Sequence, residues 1–336
     1  EKLSGNGLIT LKDENVTAIA ALTTQQHGKI FLRAESEDLW NKRKARYTAK
    51  AVLENVNAGL ATGSKDLGRV TLFSDIKGQG FDLRNASATF HTSVHLLEYK
   101  NYPYTGIDIS SRLEQGVLTS EMSVADPNLQ AKLSATVSAT DRKGVYNGTL
   151  NMYLDDSDLH ALHIVQDSIS TLRGTIQADI TGSNIDDVTG TLSFSEVSYN
   201  YHYIDRILIE SQAVDSVSHR LSVVSDGLFD GYIEGNYRLS EVPAAVMNGL
   251  LSGFKPYRKR PVTPGQKYSF RMDVTASEVK VINTPLIFGG STQLHGAVNT
   301  SGADFSFNLT ADRINYRDVL IDTLNFHLNT ATANVL

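Results

Sequence analysis

The stretch Leu129-Gln130-Ala131-Lys132-Leu133-Ser134-Ala135-Thr136-Val137-Ser138-Ala139 decides the fold. Apolar and polar residues alternate without a break, and side chains of a strand point alternately to opposite sides. This is therefore a strand with one apolar and one polar face. The stretch before it, Asn85 to Leu96, repeats the pattern: Ala86, Ala88, Phe90, Val94 and Leu96 stand against Ser87, Thr89, His91, Ser93 and His95. Strands of this kind are predicted at 7–11, 16–22, 28–33, 46–54, 69–78, 85–96, 105–114, 117–125, 129–139, 146–154, 171–181, 188–199, 206–213, 220–226 and 230–239. After a break they resume at 268–276, 279–283, 290–299, 303–312 and 319–330, with Gly, Asn and Asp at the turns. Residues 36–46, which hold Trp40, read as a basic connector with one helical turn.

One segment reads as helix. Ser240 to Pro243 offer a cap and an early proline, and Ala244 to Phe254 supply Ala, Val, Met, Leu and Phe. It runs into Lys255, Arg258, Lys259 and Arg260. Two readings stand: a connector with a solvated basic tail, or an amphipathic element that covers an apolar surface or touches lipid headgroups.

The chain has 336 residues, no cysteine, a formal net charge of −6 and 41% hydrophobic residues. A single core stops growing near ~250–300 residues, so this length implies several domains or a repeating sheet. The mild acidity argues against a nucleic-acid partner. No cysteine means no disulfide scaffold and no thiol chemistry. No apolar run approaches the ~20 residues that span a bilayer as a helix. The abrupt start at Glu1 and stop at Leu336 read as a middle segment of a longer protein.

Self-comparison indicates a repeat. Leu97, Tyr99, Ile107, Ile109, Val124 and Asp126 map by adding 100 onto Val197, Tyr199, Ile207, Ile209, Val224 and Asp226. Leu129, Leu133 and Val137 map likewise onto Phe229, Ile233 and Tyr237, and a partial third copy begins at Ile314. The expected division is 1–45, strands and a basic connector continuing from an upstream repeat; 46–145, a first groove repeat; 146–267, a second with the helical and basic connector 240–267; and 268–336, a partial third.

An apolar face must be covered, because each large aliphatic side chain left in water forgoes ~1.5–3 kcal/mol. One helix is too little, which leaves a sandwich, a folded-over groove or a bound apolar ligand. Small inward residues such as Ala86, Ala88, Ala131, Ala135, Gly174, Ala178, Gly235 and Gly296 fit close-packed walls and ligand space equally well.

Catalytic signatures are missing: there is no G-x-S-x-G elbow, P-loop or H-E-x-x-H, and no enzyme is expected. His91 and His95 share a strand face but lie about 13 Å apart at strand rise, too far for one metal. Asp155-Asp156-Ser157-Asp158 with His160 and His163 is the best metal candidate. It lacks the glycine and distal Glu of an EF-hand and reads as a solvated turn. No metal or cofactor is expected. Tyr99, Tyr102, Tyr104, Tyr199, Tyr201 and Tyr203 read as packing at a strand bend, with a lipid-interface contact as the alternative.

Ile180-Thr181-Gly182-Ser183-Asn184-Ile185-Asp186-Asp187-Val188-Thr189-Gly190, followed by Leu192 and Phe194, resembles the periplasmic repeats of the TamB/AsmA-like family. Val124-Ala125-Asp126-Pro127-Asn128-Leu129, its twin Val224-Ser225-Asp226-Gly227 and the connector from Val242 to Phe254 carry the same resemblance, which runs from about Tyr47 onward. It implies an all-β fold: an elongated, strongly curved antiparallel sheet, taco-shaped in section, with an apolar concave face. It also implies an inner-membrane anchor outside this segment, a periplasmic location and phospholipid transport to the outer membrane, with an outer-membrane barrel partner for some members.

On that reading acyl chains lie against Ala88, Phe90, Val94, Leu96, Ile107, Ile109, Met122, Val124, Leu129, Leu133 and Val137 in the first repeat. In the second they lie against Ile176, Ile180, Leu192, Phe194, Ile207, Ile209, Val223, Ile233 and Tyr237, and in the third against Leu294, Val298, Phe305, Phe307, Leu309, Leu324 and Phe326. Charge on this wall, as in Leu133→Arg or Ile233→Arg, is then expected to block transport. The alternatives are a chaperone that templates strands of outer-membrane barrels by edge pairing and a structural or adhesive β-array.

Overall fold

A computed structural model describes residues 3–24, 28–82, 84–166, 170–199, 202–276, 278–280, 286–302, 304–317 and 319–330. The protein is all-β and antiparallel. Its strands are β1 (Leu3–Lys12), β2 (Asn15–Thr24), β3 (Gly28–Glu37), β4 (Arg46–Asn57), β5 (Leu67–Gln79), β6 (Ser87–Tyr99), β7 (Tyr102–Tyr104), β8 (Ile107–Glu114), β9 (Val117–Asp126), β10 (Leu129–Ala139) and β11 (Tyr146–Asp158). They continue as β12 (Thr171–Gly182), β13 (Thr189–Tyr199), β14 (His202–Ala213), β15 (His219–Ser225), β16 (Phe229–Asn236), β17 (Lys267–Val274), β18 (Glu278–Lys280), β19 (Leu286–Asn299), β20 (Phe305–Tyr316) and β21 (Val319–Asn329). The helices are α1 (Ala58–Thr62) and α2 (Val242–Leu250).

The strands sit where the alternation places them, most of them one to five residues longer at an end. Residues 281–283 of one predicted strand, residue 303 of another and Tyr201 lie outside the described residues. The connector at 38–44 is a run of turns rather than a helical turn. The predicted helix starts and stops early, at Val242 and Leu250, because Pro243 fits the first turn and the chain then turns at Ser252–Gly253. Ser240 does not cap it: its N–H and hydroxyl both donate to Asp186 (2.9 and 3.1 Å). The unpredicted α1 is short enough to leave no periodic signal, and Asn57 caps it by accepting the Leu60 N–H at 3.1 Å.

Two-residue hairpins set the strand order locally. Lys100-Asn101 joins β6 to β7, and Gln115-Gly116 joins β8 to β9. All four residues have positive φ, the backbone that a type I′ turn requires and whose twist matches the flanking strands.

The chain forms two compact units: Glu1–Ile176 with Ser198–His202, and Gln177–Val197 with Tyr203–Leu336. In the first, β1 to β6 pair in sequence, β6 pairs both β7 and β8, and β8 to β11 pair in sequence. In the second, β14 to β17 pair in sequence, β17 passes to β19, and β19 to β21 complete the ladder.

Candidate functional site

Residues directly opposite in an antiparallel ladder share a face, so the register converts the alternation into rows. In the first unit one row runs Gly5, Leu22, Ile30, Leu53, Leu72, Val94, Ile107, Val124, Ala131, Leu154 from β1 to β11. The next runs Gly7, Ala20, Leu32, Ala51, Ser74, Thr92, Ile109, Met122, Leu133, Met152. Two further rows hold Phe90 with Ile76, and Ala88 with Leu113, Leu118 and Val137. Hydroxyls on this face satisfy one another across strands: Ser74 bonds Thr92 at 2.9 Å, and Ser111 bonds Ser120 at 2.8 Å.

The adjoining residues face the other way and are polar: Ser93, Asp108, Ser123 and Lys132 stand in one row, His91, Ser110, Glu121 and Ser134 in the next. Exposure follows the rows, with β8 and most of β9 alternating between half-buried apolar and exposed polar residues. Val124, Ala131 and Leu154 form a buried cluster against Ile107, Met122, Leu129, Met152, Leu172 and Ile176, built from strands alone. At β1 to β3 the same face lies open, with Ile9 76% and Leu32 43% exposed. The hollows of about 850 and 590 Å³ in this unit are lined mainly by polar-face residues, including Thr48, Lys77 and Arg112 in one and His91, Glu121 and Asn151 in the other.

Every predicted wall residue of the first repeat sits on these rows or beside them. Leu96 lies beyond an irregularity in the β5–β6 pairing, and Leu129 heads β10 against the buried cluster. The same alternation could have found Leu22, Ile30, Leu53, Leu72, Leu150, Met152 and Leu154, which complete the rows.

The second unit differs in what covers its face. There the rows run Ser211, Leu221, Ile233, Phe270, Gly296, Phe307, Leu328 and Ile209, Val223, Gly231, Met272, Leu294, Leu309, Phe326. Leu239, Val242, Ala245, Val246 and Leu250, one stripe of the α2 segment, pack on Tyr237, Tyr268, Phe270, Val298, Phe305 and Phe307. Tyr237, Val298 and Phe305 are therefore core beneath a helix rather than an open wall, and Ile233 and Phe307 belong to the same cluster. Leu324 is half-buried and Phe326 43% exposed at β21, while Ile207, Leu192 and Phe194 are half-buried and Ile180 is exposed.

The uniform offset of 100 does not survive in the ladder. Ile107, Val124 and Ala131 share a row in the first unit; Ile209, Val223 and Gly231 do so in the second. The offsets are thus 102, 99 and 100, and Val224 turns to the opposite face, paired with Leu208 and 39% exposed. An odd change in loop length suffices, because the side-chain period of a strand is two. The loop is two residues between β8 and β9 but five between β14 and β15.

Asp126 and Tyr102 form a buried rivet at the end of β9. Asp126 is 0% exposed and accepts from the Tyr102 hydroxyl (2.5 Å), the Thr105 N–H (2.9 Å) and hydroxyl (3.1 Å), and the Asn128 N–H (2.9 Å). Burial pushes its carboxyl up, but these hydrogen bonds outweigh burial and hold it below the usual carboxylate range. A carboxylate lowered on folding stabilises the protein above its unfolded pKa, and that contribution disappears as pH falls through the lower folded value. Tyr102→Phe is expected to cost about 1–2 kcal/mol and Asp126→Ala about 3 kcal/mol in urea denaturation at neutral pH. Asp126→Asn should flatten the acid limb of the stability curve.

At the metal candidate, Asp155 accepts from Arg173 (2.6 and 2.9 Å), Asp158 accepts the His160 and Ala161 N–H groups (3.0 Å each), and His163 bonds the Lys100 carbonyl (2.9 Å). Asp155 to Asp158 are thus the end of strand β11, with Ser157 fully buried, rather than a solvated turn, and the turn itself is 159–163. Among the described residues no group of three or more His, Asp or Glu is placed to hold a metal, and no helix is long and apolar enough to cross a membrane.

No family model, no curated protein and no solved structure matches the chain. An apolar face offers transfer free energy and shape, and hydroxyls on it such as Ser74 with Thr92 and Ser111 with Ser120 are bonded to one another.

Proposed function

We propose that the chain is a periplasmic segment of an inner-membrane-anchored, TamB/AsmA-like protein that binds acyl chains along an apolar sheet face and conducts phospholipid between the two membranes. The observation that carries this reading is the pair of apolar rows from β1 to β11. They are continuous across the unit, their two hydroxyls, Ser74 and Thr92, are bonded to each other, and the buried cluster within them is made by strands alone. An acyl chain on such rows gains ~0.8 kcal/mol per CH₂ removed from water, while its headgroup stays hydrated at the margin. The second row, half-buried or exposed at every strand, lets a chain slide from strand to strand with little barrier. Ala18, Ala20, Ala34, Ala49 and Ala51 keep the wall low at β2 to β4, leaving room above it. The resemblance read from residues 124–129 and 180–194 points the same way.

Native mass spectrometry of the chain exported to the periplasm of a double-membraned bacterium and purified without detergent tests the reading. Adducts of phospholipid mass are expected. Bare protein that also takes up no phospholipid from vesicles would sink it.

A further inference from the structure

We propose that the segment Phe254–Arg260, fixed on the solvent side of α2, is a docking surface for an anionic lipid bilayer. It stands independently of the acyl-chain reading. Lys255, Arg258, Lys259 and Arg260 are all exposed, and none has an ion pair among the described residues. Four other cations of this unit are ion-paired, in Arg220–Glu234, Arg238–Glu241 (3.7 Å), Arg271–Asp273 (2.6 Å) and Arg313–Asp322 (3.5 Å). Among the described residues, the cations without an ion pair outside this run, such as Arg206 and Lys267, stand singly along the chain. Unpaired positive charge concentrated here, in a chain of net charge −6, marks a place that meets anions.

The surface is built rather than loose. Asn248 of α2 accepts the Arg260 N–H (2.9 Å) and the Tyr257 hydroxyl (3.0 Å), and donates to the Arg260 carbonyl (2.8 Å). Beyond it, Glu241 accepts from the Thr263 N–H (2.6 Å) and hydroxyl (2.8 Å) and from Gln266 (2.7 Å). The far end of the basic run is thereby pinned to α2 and to the turn before it. Its start follows α2 directly, with the Phe254 N–H on the Leu251 carbonyl (3.0 Å), and the other stripe of the helix is held in the core.

Apolar groups beside the charge choose the partner. Phe254 is 64% and Met247 40% exposed. A bilayer offers both of them a hydrocarbon boundary to enter while the cations meet headgroup phosphates. A nucleic acid would instead ask for aromatic stacking platforms, and the second aromatic ring here, Tyr257, is half-buried with its hydroxyl bound to Asn248. The other basic connector, Lys42–Arg46, also carries an exposed aromatic, Trp40, at 68%. Asp82 lies beside that connector: the Lys42 carbonyl accepts the Phe81 N–H (2.8 Å), and Arg43, after the hydrogen bonds from Asn85 and Arg84, is among the groups that lower the pKa of the Asp82 carboxyl.

The test is co-sedimentation of the purified chain with phosphatidylcholine vesicles, with and without phosphatidylglycerol. Binding is expected only to the anionic vesicles and should weaken with salt. The triple variant Arg258→Gln, Lys259→Gln, Arg260→Gln should lose on the order of 100-fold in affinity, at roughly fivefold per charge. Phe254→Ser should lose on the order of tenfold. Arg112→Gln with Lys132→Gln, on the polar face of the first unit, should leave binding unchanged, and unaltered thermal melting shows that each variant is folded. Equal binding to neutral vesicles, retention by the triple variant, or tighter binding to single-stranded DNA with no effect of Phe254→Ser would overturn the proposal.

Discussion

Replacing Leu133 by arginine is expected to abolish phospholipid loading while leaving the sheet folded. Leu133 stands in the second apolar row between Met122 and Met152 and is half-buried. A guanidinium there can keep its charge in water by extending along the face, so the cost to folding is modest, about 1–2 kcal/mol. An acyl chain crossing the row would lose contact for several CH₂ groups at ~0.8 kcal/mol each, which lowers loading at least on the order of tenfold. Ser134→Arg is the matched control: the next residue on the same strand, exposed on the polar face, where arginine should change nothing. Loading that survives Leu133→Arg, or falls equally in Ser134→Arg, would falsify the conduit. Ile233→Arg, equivalent by sequence, should behave differently. Ile233 packs against the cluster beneath α2, so a charge there unfolds local structure rather than obstructing a path.

Gly249→Val is expected to lift α2 from its sheet. A Cβ built at Gly249 would lie 2.2 Å from the Phe305 ring, which itself stacks on Phe307 with centroids 6.4 Å apart. Neither neighbour can yield, since Phe305 and Phe307 are buried. Overpacking of this kind costs about 1–3 kcal/mol. Hydrogen exchange at the amides of Ala245 to Leu250 should accelerate markedly, while β8 to β10, in the other unit, exchange as before. Phe305→Ala alone should cost about 3–5 kcal/mol. Combined with Gly249→Val it should cost less than the two apart, because the alanine makes room for the valine. Strictly additive costs would show that the two residues do not meet.

Both expectations separate what is legible in a strand sequence from what is not. Alternation at Leu129 to Ala139 is local: the backbone geometry of a strand sends neighbours to opposite faces whatever surrounds it. The strand positions and the shared face of Val94, Ile107, Ile109, Met122, Val124 and Leu133 are accordingly legible in the sequence. The rivet at Asp126 was visible only as a motif, because its partners Tyr102 and Thr105 come from another part of the chain. The buried state of that carboxylate depends on all of them arriving together.

By itself the sequence determined an all-β antiparallel protein with two-faced strands, since both follow from a period of two and from turn residues at fixed places. Tertiary structure decided which copies of the pattern share a face and what covers each. A longer loop, five residues between β14 and β15 against two between β8 and β9, put Val223 on the face where the repeat placed Val224. Such odd slips cost nothing locally while inverting a whole strand. The same apolar alternation became rows without a helix over them in the first unit, open at β1 to β3 and packed among strands at β8 to β12, and a core under α2 in the second. The reason is physical: the free energy of an apolar face depends on the partner laid against it, and strand periodicity carries no information about that partner.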